Sequence, residues 1–310
     1  MGLIGHSAAD GIGAAPAVGW AGVGTVTLRD LATDPAHRAA RLLDRHLLVL
    51  VTVGHGQVEL DFRPLQCRPG TLVWGRPGQV VRYGGQPGLD AIVVCWDTSS
   101  VADAPDGAPL SDGYWQLAGE DEDAVINEVS QLVVDIQRHR SGVLAEELLR
   151  HQLTVLLLRI ALLPGGATPD ETGAYARFRR AVEEDFARTR RVEEYAERMG
   201  YSVRTITRAC LNATGRSAKQ VIDDRVTLEA KRLLAAADAP IADIGRRLGF
   251  PEPTNFGRFF HREVGMSPGA FRQAQRAVPV TPPGPARVPL PRELPVDAAG
   301  VESARSWGRA

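Results

Sequence analysis

The chain has 310 residues, 44% of them hydrophobic and 24% charged, with a net charge of −1; this composition fits two globular domains with linkers and excludes the fibrous and low-complexity classes. The three cysteines, Cys67, Cys95 and Cys210, are too few and too scattered for a disulfide framework or a zinc site. The longest apolar run, HQLTVLLLRIALL (His151–Leu163), is interrupted by Arg159 and too short for a bilayer, and the N-terminus lacks a basic and a continuous apolar region. A cytoplasmic location with no membrane contact is therefore expected.

From Gly19 to Ser99 the signals are strands and turns: LLVLVTV (Leu47–Val53), a turn at GHGQ, VELDF (Val58–Phe62), PGTLVWGRPGQVVRYG and LDAIVVCW (Leu89–Trp96). Short β-rich runs separated by Gly and Pro predict a sandwich or barrel of antiparallel strands over residues 19–118. Over residues 119–163 the period becomes helical, with Val125, Val129, Leu132, Val133 and Ile136 on one face. A second stripe holds Leu144, Leu148, His151, Leu153, Val155, Leu156 and Ile160. Two helices broken at Ser141-Gly142 are expected, with these stripes as their apolar faces. PGGATPDETG then reads as a linker over 164–173. The segment from Ala277 to the C-terminus, with TPPGPARVPLPRELP, is too proline-rich to pack and is expected to be disordered.

Between them lies the basic part of the molecule. Residues 174–276 hold 20 Lys and Arg against 13 Asp and Glu, a balance of +7, which leaves 16 against 24, or −8, for the rest of the chain. The segment also repeats. VEEYAERMGYS (Val192–Ser202) aligns with IADIGRRLGFP (Ile241–Pro251) at an offset of 49, and TRACLNATGRS (Thr207–Ser217) aligns with GRFFHREVGMS (Gly257–Ser267) at an offset of 50. One helix-glycine-helix unit is thus used twice.

In the first unit Val192, Tyr195, Ala196 and Met199 form an apolar stripe, Gly200 supplies a left-handed turn, and Ser202 is placed to cap the next helix. There Ile206, Ala209 and Cys210 face inward, and Arg204, Thr207, Arg208 and Leu211 face out. In the second, Ile241, Ile244, Gly245 and Leu248 form the stripe and Gly249 turns the chain. Phe256, Phe259 and Phe260 face inward, and Pro253, Thr254, Gly257 and Arg258 face out. This is helix-turn-helix geometry, in which the outer face of the second helix enters a major groove and arginine pairs with guanine. The helix between the units opens with a capping-box spacing, Ser217 to Gln220, and its roughly 20 residues span about 30 Å. That length places the two heads in successive grooves of double-stranded DNA.

GYSVRTITRACLNATGRS and IADIGRRLGFPEPTNFGRFFHREVGMSPGAFR resemble the two halves of the AraC/XylS-type DNA-binding domain, over roughly Ala174 to Arg276. The resemblance implies base contacts from Arg204, Thr207 and Arg208 in the first recognition helix. In the second it implies contacts from Pro253, Thr254, Gly257 and Arg258. The chain departs from better-equipped members here: Pro253 and Gly257 have no side-chain hydrogen-bonding group, so the first unit is expected to supply most of the specificity and the second mainly affinity.

RHLLVLVTVGHGQVELDF followed by RPGTLVWGRPGQVVRYG resembles the cupin-like sensor domain that precedes this module in many family members. It implies a small-molecule effector, a homodimer formed through the helices that follow and, for an activator, contact with RNA polymerase. His46, Trp74, Arg76, Tyr83 and Trp96 are candidate effector-pocket residues, since aromatic walls with a cation suit an aromatic or carboxylate ligand; packing explains each tryptophan equally well. The alternative is a cupin-type enzyme or adaptor carrying a DNA-tethering domain. Metal-dependent cupins need an H-x-H pair, whereas His37, His46 and His55 are spaced by nine and Val81 stands where such proteins place a later histidine. No catalytic residue, metal or cofactor is expected. The fold class is α+β, with an antiparallel cupin-like barrel, a helical dimerisation segment and an all-α domain with two helix-turn-helix motifs.

Overall fold

The computed structural model describes residues 22–32, 39–83, 88–101, 113–139, 142–163 and 173–276. The expected linker, all but Gly173, and the proline-rich C-terminal segment lie outside them, as do His37 and Ser141.

The N-terminal part is built from β1 (Val23–Thr27), α1 (Leu28–Ala32), β2 (Arg41–Leu42), β3 (His46–Val53), β4 (Gly56–Leu60), β5 (Arg63–Cys67), β6 (Thr71–Gly75), β7 (Val80–Tyr83), β8 (Asp90–Trp96) and β9 (Tyr114–Gln116). All pairings are antiparallel and form two sheets, ordered β1-β8-β3-β6-β9 and β2-β7-β4-β5. The run LLVLV in β3 is apolar at every position because both of its faces are covered. Leu47, Val49 and Val51 point into the layer between the sheets, with Val58, Leu65, Val81 and Val93. Leu48 and Leu50 point the other way, into the layer beneath two helices, with Leu72 and Val94. Alternation along one strand thus feeds two cores.

Those helices are α2 (Glu120–Arg138) and α3 (Val143–Leu162). Four acidic residues, Glu120 to Asp123, occupy the first turn of α2, where the helix dipole favours negative charge. Val125, Val129 and Leu132 meet Leu149, Leu153, Leu156, Leu157 and Ile160 over the five-stranded sheet. The predicted stripe of α3 needs correction: Leu144 is 86% exposed, Val155 41% and His151 lies outside, while Leu149 and Leu157, not in that stripe, are buried. Apolar residues circle α3 almost completely, so periodicity could not select the buried side.

The C-terminal part comprises α4 (Ala174–Asp185), α5 (Val192–Met199), α6 (Val203–Thr214), α7 (Ala218–Ala236), α8 (Ile241–Arg247), α9 (Pro253–Val264) and α10 (Pro268–Arg276). Ile222, Val226, Ala230 and Leu234 give α7 a buried stripe at the centre of one core. Phe178, Tyr195, Ile206 and Cys210 meet it from the first unit, and Ile244, Phe256, Phe260 and Phe271 from the second. Among the described residues no helix is long and apolar enough to cross a membrane.

Candidate nucleic-acid interface

Each unit positions its outer helix through a glycine turn and a fixed helix start. Gly200 sits at φ 68°, and the Ser202 hydroxyl oxygen accepts the Thr205 N–H at 3.1 Å, opening α6. Ile206 and Cys210 are buried, whereas Arg204 and Arg208 are exposed and Thr207 is half-buried. In the second unit Gly249 takes φ 76°, and a side chain there would collide with the Ala187 carbonyl oxygen, 2.4 Å from the added carbon. Pro253 occupies the first turn of α9, where its missing N–H costs nothing. Phe256, Phe259 and Phe260 are buried, while Pro253, Thr254 and Arg258 are exposed. Gly257 is half-buried with open space where a side chain would stand. The Ser217–Gln220 capping box at the start of α7 is formed, and its 19 residues span about 28 Å between the units.

Asn255, exposed beside Thr254 on the first turn of α9, was not among the expected readers. The only sequence signal for it is its place one residue before the buried Phe256.

The barrel meets this domain around the tight turn between β4 and β5, with β2 and β7 alongside. Asp61 and Phe62 link β4 to β5 as a two-residue loop with φ 51° and 66°, the left-handed pair that a twisted hairpin demands and that phenylalanine adopts at a cost. Arg232 of α7 grips Asp61 with both ends of its fork, Nε to Oδ1 at 2.9 Å and Nη2 to Oδ2 at 2.6 Å. Burial works against the Arg232 charge, but the Asp61 hydrogen bonds together with the negative charges of Asp61, Glu229 and Glu183 outweigh it, so the arginine's pKa is raised. The same carboxylate accepts the Val80 N–H at 3.0 Å and the Gln79 side-chain amide at 2.7 Å, which fills its acceptor sites. Phe62 packs edge-on against Phe271 of α10 at 5.5 Å, and Arg82 of β7 bonds the Gln275 side chain. None of these cross-contacts was legible in the sequence, because the partners lie 171 to 209 positions apart.

Four of the five candidate pocket residues come together. His46 stacks on Trp96, centroids 5.1 Å apart and planes within 7°, and its Nδ1 accepts the Trp74 indole N–H at 3.2 Å. Arg76 lies over Trp74 at 5.0 Å. Burial, with the Arg76 charge second, lowers the His46 pKa to about 4, so at neutral pH the ring is uncharged and carries its proton on Nε2. His46, Trp74 and Trp96 belong to the helix-covered side of the five-stranded sheet. Tyr83 is instead in the layer between the sheets with Cys67 and Cys95, where burial raises its pKa. Beyond Arg76, the Gln79 side-chain carbonyl accepts the Arg76 N–H at 2.7 Å while its amide holds Asp61, so a short polar path joins the aromatic cluster to the interdomain turn. Among the described residues no cluster of three or more His, Cys, Asp or Glu is arranged to hold a metal.

Comparison with known proteins agrees with both halves. Residues 24–153 match the family model described as an AraC-like ligand binding domain, and residues 195–274 match that of a helix-turn-helix domain. The chain is 28% identical over 251 residues to the HTH-type transcriptional activator RhaS of Salmonella agona, covering 76% of this chain and 87% of that protein. It is 27% identical over 246 residues to RhaS of Salmonella arizonae, covering 76% and 88%. Among solved structures, ToxT from Vibrio cholerae aligns over 83% of this chain and 99% of its own, with 11% identity and a TM-score of 0.45.

Proposed function

Because the chain belongs to the AraC family of DNA-binding transcription regulators, we propose that it is a one-component regulator in which a small molecule held by the 19–118 domain sets how the 174–276 domain engages promoter DNA. A ligand shifts such an equilibrium only through contacts whose free energy differs between the two states. The observation that carries this reading is the Asp61–Phe62 turn, a small contact that joins barrel to DNA-binding core and connects through Gln79 to the His46, Trp74, Arg76 and Trp96 cluster. That cluster, with a neutral histidine donor and an arginine over an indole, suits an aromatic or carboxylate effector; Tyr83 is no part of it.

In DNA recognition, Arg204, Thr207 and Arg208 carry most of the base readout. Thr254 and Arg258 act from the second head, where Pro253 and Gly257 offer shape only. Leu144, Leu158 and Leu162, exposed on α3 by 86%, 46% and 85%, supply an apolar ridge for pairing two copies in the cytoplasm. If the regulator activates, as the RhaS relatives are named for doing, it also contacts RNA polymerase. No catalytic step is assigned to it.

Footprinting on the DNA upstream of its own gene tests the reading. Protection on one face over two successive helical turns is expected, with affinity falling steeply as salt rises. In a binding-site selection, Arg208→Ala should relax base preference more than Arg258→Ala. Weak, sequence-indifferent binding at physiological salt would refute the assignment.

A further inference from the structure

We propose that Arg190 fixes the second reading head relative to the first, so that the protein recognises its two half-sites at a single spacing. Arg190 lies in the connection between α4 and α5, within the first unit, yet its guanidinium carbon stands 3.6 Å from the centroid of the Phe250 ring and 5.9 Å from that of Phe259. Both rings belong to the second unit. Phe250 follows the Gly249 turn, Phe259 is on the buried side of α9, and they touch one another at 5.0 Å. Only 2% of Phe250 and 6% of Phe259 is exposed, so neither ring moves without moving α9.

Two further contacts close the joint. The backbone of the same connection presses on the second unit at Ala187, whose carbonyl oxygen fills the space a Gly249 side chain would need. Asp223, a buried residue of α7, ion-pairs with Lys219 and, at 3.6 Å, with Arg262 of α9, which itself lies 5.3 Å over Phe259. The α4–α5 connection, α7 and α9 therefore converge on one pair of phenylalanines.

The reason this matters for DNA is leverage. Packed helix pairs scatter by about 15–20° around each preferred crossing angle at interaxial distances of 8–10 Å, so helix-on-helix packing by itself does not single out one angle within that range. A roll of ~20° at ~10 Å displaces a recognition helix by roughly 3.5 Å, about one base-pair step. Helix packing on α7 does not by its class specify the angle to within that step; a planar cation stacked on the second head's aromatic rings narrows it. Arginine suits the task because its flat guanidinium stacks face to ring, which the lysine ammonium does not.

The test uses the full chain and a duplex selected by the wild-type protein from a randomised pool. Two derivatives accompany it, one with the second half-site scrambled and one with a base pair inserted between half-sites. Arg190→Ala should bind the selected duplex roughly five- to tenfold more weakly, in line with a half-buried cation–π contact, and the half-scrambled duplex within about twofold of wild type. The penalty for the inserted base pair, steep for wild type, should shrink. Arg190→Lys, which keeps the charge but not the flat stack, should resemble Arg190→Ala and carries the same test if the alanine variant does not fold. The idea is overturned if Arg190→Ala weakens every duplex alike and Lys restores binding, the signature of a phosphate contact. It is equally overturned if the spacing penalty stays unchanged. The inference rests on two-headed engagement of DNA, whose own failure would appear separately as a wild-type footprint confined to one turn.

Discussion

At the scale of single residues, His46 is the group whose environment departs most usefully from water. Its pKa falls from 6.5 to about 4 because burial and Arg76 both disfavour the charged ring. The unfolded chain therefore binds this proton more readily than the folded one, and its contribution to stability is complete above pH ~6.5 and is lost as pH falls toward about 4. Thermal melts across that window should show wild type losing more stability on acidification than His46→Gln; equal slopes would mean that the ring is freely hydrated. The place of His46 at the edge of a strand was readable in the sequence. Its stacking on Trp96 and bond to Trp74 were not, since they join β3, β6 and β8. The outward arginines were legible for the opposite reason: helical periodicity places Arg204, Arg208 and Arg258 against buried neighbours at fixed offsets.

At the scale of elements, the two glycines of the second unit make opposite demands. Gly249 needs a left-handed backbone and touches Ala187, so Gly249→Ala should destabilise the protein by at least ~2 kcal/mol. Gly257 is helical with open space beside it, so Gly257→Ala should stabilise by roughly 0.5–1 kcal/mol. Urea denaturation of the two variants checks both signs, and a stabilising Gly249→Ala would contradict the turn geometry. The turns, the Ser202 cap and the Ser217 capping box were all readable beforehand, because capping is chemistry within four residues. The buried side of α3 was not, because a helix apolar nearly all round carries no directional signal. Only its packing on α2 and the sheet beneath selects Leu149, Leu153 and Leu157 over Leu144 and Val155.

At the scale of the whole molecule, the Asp61–Arg232 pair holds two differently built domains together. With 14% and 12% of the side chains exposed, removing one partner leaves the other charge largely desolvated, a cost of roughly 3 kcal/mol. Arg232→Gln should therefore split the thermal unfolding profile into two transitions, one for the barrel and one for the helical domain. A single transition merely shifted downward would mean that Phe62 on Phe271 and Arg82 on Gln275 suffice for coupling. By itself the sequence determined the repeat, the glycine turns, the outward arginines and the strand-rich character of the N-terminal half. Each of these is written in local spacing, turn chemistry or period, and survives without knowledge of distant neighbours. Only the tertiary structure decided which pocket candidates share a layer, which side of α3 is covered, and that a two-residue turn and one arginine, Arg190, span joints between units. The contacts at those two joints bring together residues from 60 to more than 200 positions apart, and nothing in a local pattern records which distant partner a side chain will meet.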